Sequence, residues 1–386
     1  MSGIHHFVPV LHRGDAVGRH TLRLREATRA RGFRSEIFVD TVDDATADET
    51  VPVLSYADMA QPGDVVVYQF ATASAMAPWL AGRSEVLVVN YHNVTPPELM
   101  APWDNHLALG QLRAQGDLRL LAPRAALAVA DSAYNEAHLA TAGFAATAVI
   151  SPSAALDATP TSPTAAGSPA DTGAAGGPTA AGSPADTGAT GGPDALHRRG
   201  SHWLAVGRVS PNKALEATVA ALAVARAHGD PGARLQLVGK PATDSYVAAL
   251  QRYVADLGLA DAVQFSGHAS DAAVEAAYAD ADVLVVTSEH EGFCVPVVEA
   301  MAAGVPVVAF DRGAVPEVLG GAGVLVSDKD PYALAAAIAA LLHDGPRRHD
   351  VIAAGRQRLT ALDLHSAADR FVDLLVPLAA VAAPSS

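Results

Sequence analysis

The stretch SEHEGFCVPVVEAMAAGVPVVAF, residues 288–310, decides the fold. It follows an apolar run, 283–286, that reads as a buried parallel strand. A polar loop comes next, Ser288-Glu289-His290-Glu291-Gly292-Phe293-Cys294. Pro296 then suits the first turn of a helix, where a missing N–H costs nothing, and Gly304 ends that helix before the strand 305–309. Strand, loop, helix, strand is the repeating unit of an open α/β sheet, and ligands sit outside the carboxyl ends of such strands. The helix start offers free N–H groups and a partial positive charge, suited to an anion.

Two carboxylates frame this turn. Glu291 lies in the loop and Glu299 about one turn into the helix. A rise of about 1.5 Å per residue keeps Glu299 near the helix mouth, so both can face one ligand. A phosphate would repel them; hydroxyls of a sugar ring and of a ribose suit them, with phosphates between. As a lone pair, one solvated glutamate and one that balances the helix dipole is the plainer reading.

The pair is embedded in E-G-F-x-x-P-x-x-E-A-M-A-x-G-x-P-V-V, which resembles the signature of retaining glycosyltransferases of family 4, enzymes of the GT-B fold. The resemblance continues upstream in Gly207-Arg208-Val209-Ser210-Pro211-Asn212-Lys213. Downstream it continues in Gly313-Ala314-Val315-Pro316-Glu317-Val318 and Gly323-Val324-Leu325-Val326. It covers nearly all of 201–345. It implies an α/β architecture of two Rossmann-like, doubly wound domains facing across a cleft. The implied reaction moves a sugar from a nucleoside-diphosphate α-sugar to an acceptor hydroxyl, with retention and without a metal or other cofactor. The acceptor class stays open among a saccharide, a lipid-linked glycan and a small metabolite.

By the same resemblance Arg208 and Lys213 neutralise the donor diphosphate, Glu291 holds sugar hydroxyls and Glu299 the ribose. Gly14, Gly207, Gly239, His268, Gly292, Phe293, Cys294 and Val295 complete the expected donor site. His92, in Tyr91-His92-Asn93-Val94-Thr95-Pro96-Pro97 just past a strand, is the expected contributor from the other domain, near the transferred sugar. Its other reading is a histidine that binds its own loop. The expected catalytic set is Glu291, His92, Arg208 and Lys213. A GT-B epimerase or phosphorylase, or a non-catalytic nucleotide-sugar-binding subunit, are the alternatives.

Composition sets bounds around this. The 386 residues suffice for two domains, and a net charge of −15 argues against a nucleic-acid surface. Cys294 is the only cysteine, which excludes an intrachain disulfide and fits a reducing cytoplasm. No basic leader with a long apolar core opens the chain, and no run reaches the ~18 apolar residues of a membrane span. Seven arginines between Arg13 and Arg34 read as a solvated helix face, or as a contact for an anionic acceptor or the membrane surface.

Residues 1–154 carry strands at 4–10, 35–39, 65–68, 86–90 and 127–130, with a helix at 19–30 and another at 134–142 that Ser132 can cap. They are expected to bind the acceptor. Residues 155–200 change character: TAAGSPADTGAAGGP at 164–178 is repeated at 179–193 with one change, Ala175 to Thr190. Such a composition buries too little to order itself and is expected to be a flexible linker. Residues 201–360 form the expected donor domain, and 361–386 a helix that crosses back, with a tail. Asp280-Ala281-Asp282 and Asp328-Lys329-Asp330 match a metal-binding D-x-D pattern, but their positions at a helix end and in a turn read as structural.

Overall fold

The computed structural model describes residues 3–153 and 200–382. The linker expectation therefore falls outside the described residues, Gly200 excepted. Two sheets, parallel throughout, organise the chain. The first has the order β3-β2-β1-β4-β5-β6-β7, and the second β10-β9-β8-β11-β12-β13.

The central strand of the first sheet, β1 (Ile4–Val8), lies between β2 (Ile37–Val39) and β4 (Val65–Phe70), with Ile4 opposite Val65. Beyond β4 come β5 (Val86–Tyr91), β6 (Ala125–Ala130) and β7 (Thr147–Val149), and β3 (Thr50–Pro52) closes the other edge. The side chains of β4 alternate between two cores. Val66, Tyr68 and Phe70 pack with Met76, Leu80, Leu118 and Leu139, while Val65 and Val67 pack with Leu24, Phe371 and Leu375. Burial on both faces is what parallel strands need, and explains their unbroken Val/Ile/Phe character.

The second sheet repeats this design. At its centre β8 (His202–Val206) pairs with β9 (Arg234–Val238) and β11 (Val283–Val286). Outside them lie β10 (Val263–Gly267), β12 (Val307–Phe310) and β13 (Val324–Val326). Trp203, Leu235 and Val285 face one core, and Leu204, Leu284 and Val307 the other. The last helix, Ala367–Ala382, packs on the helix Ala16–Ala30 of the first sheet.

The helix starts follow local chemistry. Ser132 accepts from Asn135 N at the head of Ala133–Ala142. Gly304 ends Val295–Ala303 in a left-handed conformation that suits a residue without Cβ. The D-x-D carboxylates are committed to structure. Asp282 accepts from His202 N, Asp280 pairs with Arg234 at 2.9 Å, and Asp330 caps Pro331–His343. The basic run is largely tied to carboxylates: Arg25 to Glu49 at 2.6 Å, Arg29 to Glu36 at 3.0 Å, Arg31 to Asp369 at 3.3 Å and Arg34 to Asp64 at 3.0 Å. Among the described residues no helix is long and apolar enough to cross a membrane.

Candidate active site

The strand-end loops of β8 and β11 meet in one pocket lined by Gly207, Arg208, Lys213, Ser288, Glu291 and Cys294. The backbone that shapes it tolerates little change. Gly207 N donates to Val238 O, and a Cβ built on Gly239 would lie 1.9 Å from Gly207 O, so position 239 must be glycine. Lys213 ends the short turn Pro211–Lys213 and is aimed at Glu291, with which it pairs through Oε1. Ser288 Oγ donates to the same oxygen at 2.6 Å. Burial works against the Lys213 ammonium, but the adjacent carboxylate outweighs it and holds the pKa above the ordinary lysine value. Arg208, by contrast, is exposed and has no hydrogen-bond or ion-pair partner among the described residues.

Glu299 is buried and accepts from Tyr278 OH at 2.8 Å. Burial pushes its carboxyl up, and the hydroxyl holds part of that rise back. Cys294 caps the helix in a left-handed conformation at φ 71°, an uncommon place for a residue with a Cβ. Burial pushes its thiol up, which favours the unreactive protonated form.

The first sheet faces this pocket across a seam. A Cβ built on Gly14 would lie 4.0 Å from the His268 ring, so those two expected donor residues oppose each other. Ser132 Oγ donates to Gly292 O at 2.7 Å. His290 donates from Nε2 to Asn93 Oδ1 at 2.9 Å and accepts at Nδ1 from Tyr134 OH at 3.1 Å; these partners fix the neutral tautomer. Its ring stacks on His138 with centroids 5.7 Å apart. Burial, reinforced by His138, lowers its pKa to about 4. At a second contact Trp103 meets Tyr246 edge-on and Ser245 Oγ donates to Trp103 O.

Two expected site residues stand apart. His92 lies just past β5, an interior strand of the first sheet, with both ring nitrogens engaged, Nδ1 with Asp131 Oδ2 at 3.0 Å and Nε2 with Gln69 Oε1 at 2.8 Å. Its partners come from β4 and from the turn after β6, not from its own loop. The Phe293 side chain lines a separate crevice with Ser151, Arg358 and Arg370. Val295 opens the helix beside the pocket. Sequence reasoning did not find Ser288, Tyr278, Asn93, Gln69 or Asp131. Ser288 and Asp131 had one available signal: each follows closely on a strand end.

Comparison with known proteins bears on the family and the fold. Residues 201–358 match the family described as Glycosyl transferases group 1. The chain is 41% identical over 128 residues to an MMP alpha-(1->4)-mannosyltransferase of Mycolicibacterium hassiacum, covering 32% of this chain and 30% of that protein. It is 36% identical over 163 residues to a D-inositol 3-phosphate glycosyltransferase of Thermomonospora curvata, covering 40% and 37%. The chain thus spans about a third of the length of these curated relatives. Two solved structures align over nearly their whole length. Anabaena Alr3699/HepE in complex with UDP and glucose has a TM-score of 0.73 at 19% identity, covering 97% of this chain and 100% of that one. Sucrose-phosphate synthase from Thermosynechococcus elongatus has 0.69 at 20%, covering 98% and 100%. The fold is GT-B, two Rossmann-like domains of parallel sheet.

Proposed function

We propose that this chain is a retaining glycosyltransferase that moves a sugar from a nucleoside-diphosphate α-sugar to an acceptor hydroxyl in glycan, polysaccharide or glycoconjugate biosynthesis. The Lys213–Glu291 pair, beside exposed Arg208 at the carboxyl ends of β8 and β11, carries this reading. The relatives named as a mannosyltransferase and an inositol glycosyltransferase support sugar transfer, and the match over 201–358 supports donor use by this half.

As the glycosidic bond opens, negative charge grows on the diphosphate and positive charge at the anomeric carbon. Arg208 forks onto phosphate oxygens and Lys213 adds a point charge, both strongest where charge develops. A diphosphate arriving at Lys213 draws the ammonium off Glu291. The carboxylate, still oriented by Ser288, then accepts from sugar hydroxyls. Glu299, held by Tyr278, accepts from the ribose. The leaving phosphate oxygen takes the acceptor proton on the same face, so no carboxylate nucleophile of the retaining-hydrolase kind is assigned. His92 acts from the first domain through the position its two partners give it. With two cations and the helix N–H groups supplying the charge, we infer no metal requirement.

The test is thermal unfolding against UDP, GDP, ADP and their sugars, with Glu299→Ala alongside. A ligand at 100 times its dissociation constant adds about 2.7 kcal/mol. One nucleotide should raise the melting point of the wild type and raise the variant less, and its sugar should then be turned over in EDTA. If no nucleotide shifts the wild type, the donor site is wrong. Binding without hydrolysis or transfer would point to a non-catalytic subunit.

A further inference from the structure

Glu317 does not line the donor pocket, although Ala314 N in the same stretch donates to Glu291 O at 3.0 Å, and its carboxylate leaves its own domain. Oε1 accepts from Ala133 N at 2.9 Å and Oε2 from Tyr134 N at 3.3 Å. These are the first two residues of the helix Ala133–Ala142, whose next N–H, that of Asn135, is taken by Ser132 Oγ. The opening N–H groups of a helix have no partner within it, and they carry the positive end of its dipole. Here the cap comes from two sources, Ser132 in sequence and Glu317 from across the cleft.

We propose that Glu317 is the latch that holds the two domains in the closed arrangement, and so a positioning residue for the sugar transfer proposed above, on which this inference rests. Three observations converge. Glu317 is pinned from its own side, because Arg358 donates from Nη2 to Glu317 O at 2.7 Å and from Nε to Val318 O at 3.0 Å. The main chain is therefore held in place, and only the side chain has to order when the carboxylate meets the helix. The capped helix also carries Ser132, which donates to Gly292 O, so seating Glu317 brings the first domain onto the loop that contains Glu291. Finally, these N–H groups can turn to water when the domains part, so losing the carboxylate leaves both domains folded and shifts only closure.

The experiment removes either side of the contact. Glu317→Ala takes away the acceptor. Ala133→Pro takes away one donor, and proline is well tolerated at a first helical position. The primary readout needs no substrate: amide hydrogen exchange at residues 133 and 134 in the wild type, in Glu317→Ala and in Glu317→Gln. Exchange should speed up roughly 3- to 30-fold in Glu317→Ala, the span of capping effects, and less in Glu317→Gln, which keeps one acceptor oxygen. Hydrolysis of UDP-glucose and GDP-mannose is the second readout. For whichever is used, kcat should fall by a similar factor in Glu317→Ala and in Ala133→Pro, no further in the double variant, with KM and the nucleotide melting shift unchanged. Exchange and kcat both within twofold of wild type would overturn the latch, as would additive losses in the double variant. A lost melting shift would also overturn it, because Glu317 would then belong to the donor pocket. If the wild type turns over neither sugar, the proposed function is in question and the exchange readout still decides the latch.

Discussion

β1 and β8 hold the same central place in their sheets, yet they hand the chain to different loops. After β8 come Gly207 and the exposed Arg208, with Lys213 and Glu291 beside them in an open pocket. After β1 comes His12, whose ring is taken by Asp43 at 2.6 Å. Further along the same edge His92 is closed into a network with Asp131, Gln69 and Asn90. One edge sets the exposed Arg208 beside an ion pair in an open pocket; the other ties His12 and His92 to carboxylates of its own domain. Topology fixes where a site can be, and the commitments of the side chains decide what it can do there.

Lys213→Ala should give the largest effect on this contrast. Losing a cation aimed at developing charge costs roughly 10²- to 10³-fold in rate, and here it also strands a buried carboxylate. Steady-state hydrolysis of the nucleotide sugar measures it. A loss below tenfold would mean that the Lys213–Glu291 pair of this edge is not where the reaction happens.

The seam between the edges should respond to acid. Folding holds His290 near 4 against an ordinary 6.5, so the folded chain favours the neutral ring. Its stabilising contribution is whole above pH 6.5 and is lost as pH falls from there toward 4, because the unfolded chain takes up the proton first. The full span is about 3 kcal/mol at 1.36 kcal/mol per unit. Glu291 and Glu98 nearby oppose the loss, while His138, its own pKa lowered by burial, adds to it. Chemical denaturation from pH 7 to 4, in the wild type and in His290→Asn, should show the wild type losing more. Equal slopes would remove the seam from the account.

His92→Ala should be the smallest of the three. It strands Asp131, while Gln69 keeps Asn90 and His6, at a cost of about 1–3 kcal/mol of stability. If kcat falls as well, the closed edge serves the reaction through its geometry; if only the melting point falls, it is a structural brace.

The sequence made the second domain more legible than the first, for physical reasons. The start of Val295–Ala303 at a proline and its end at Gly304 are local, as is the Ser132 cap, and each reads from a few neighbouring residues. The short edge strands β3 and β7 are not, because three residues carry no periodicity. Least legible were contacts made only when two folded domains dock. Glu317 meets a helix 184 residues away, and His290 meets Asn93 across 197. The closed state of His92 is also non-local, though within one domain: its loop reads from the sequence, and the partners that occupy its ring do not.

Gly292 lets the halves approach as far as they do. A Cβ there would lie 2.5 Å from that of Asn93 and 2.8 Å from Asn135 Nδ2, closer than real atoms come. The missing carbon therefore acts as a gauge, setting the clearance between the two domains. Any side chain at this position works as a shim. Its thickness would be read out as the spacing between the two domains, one residue away from Glu291.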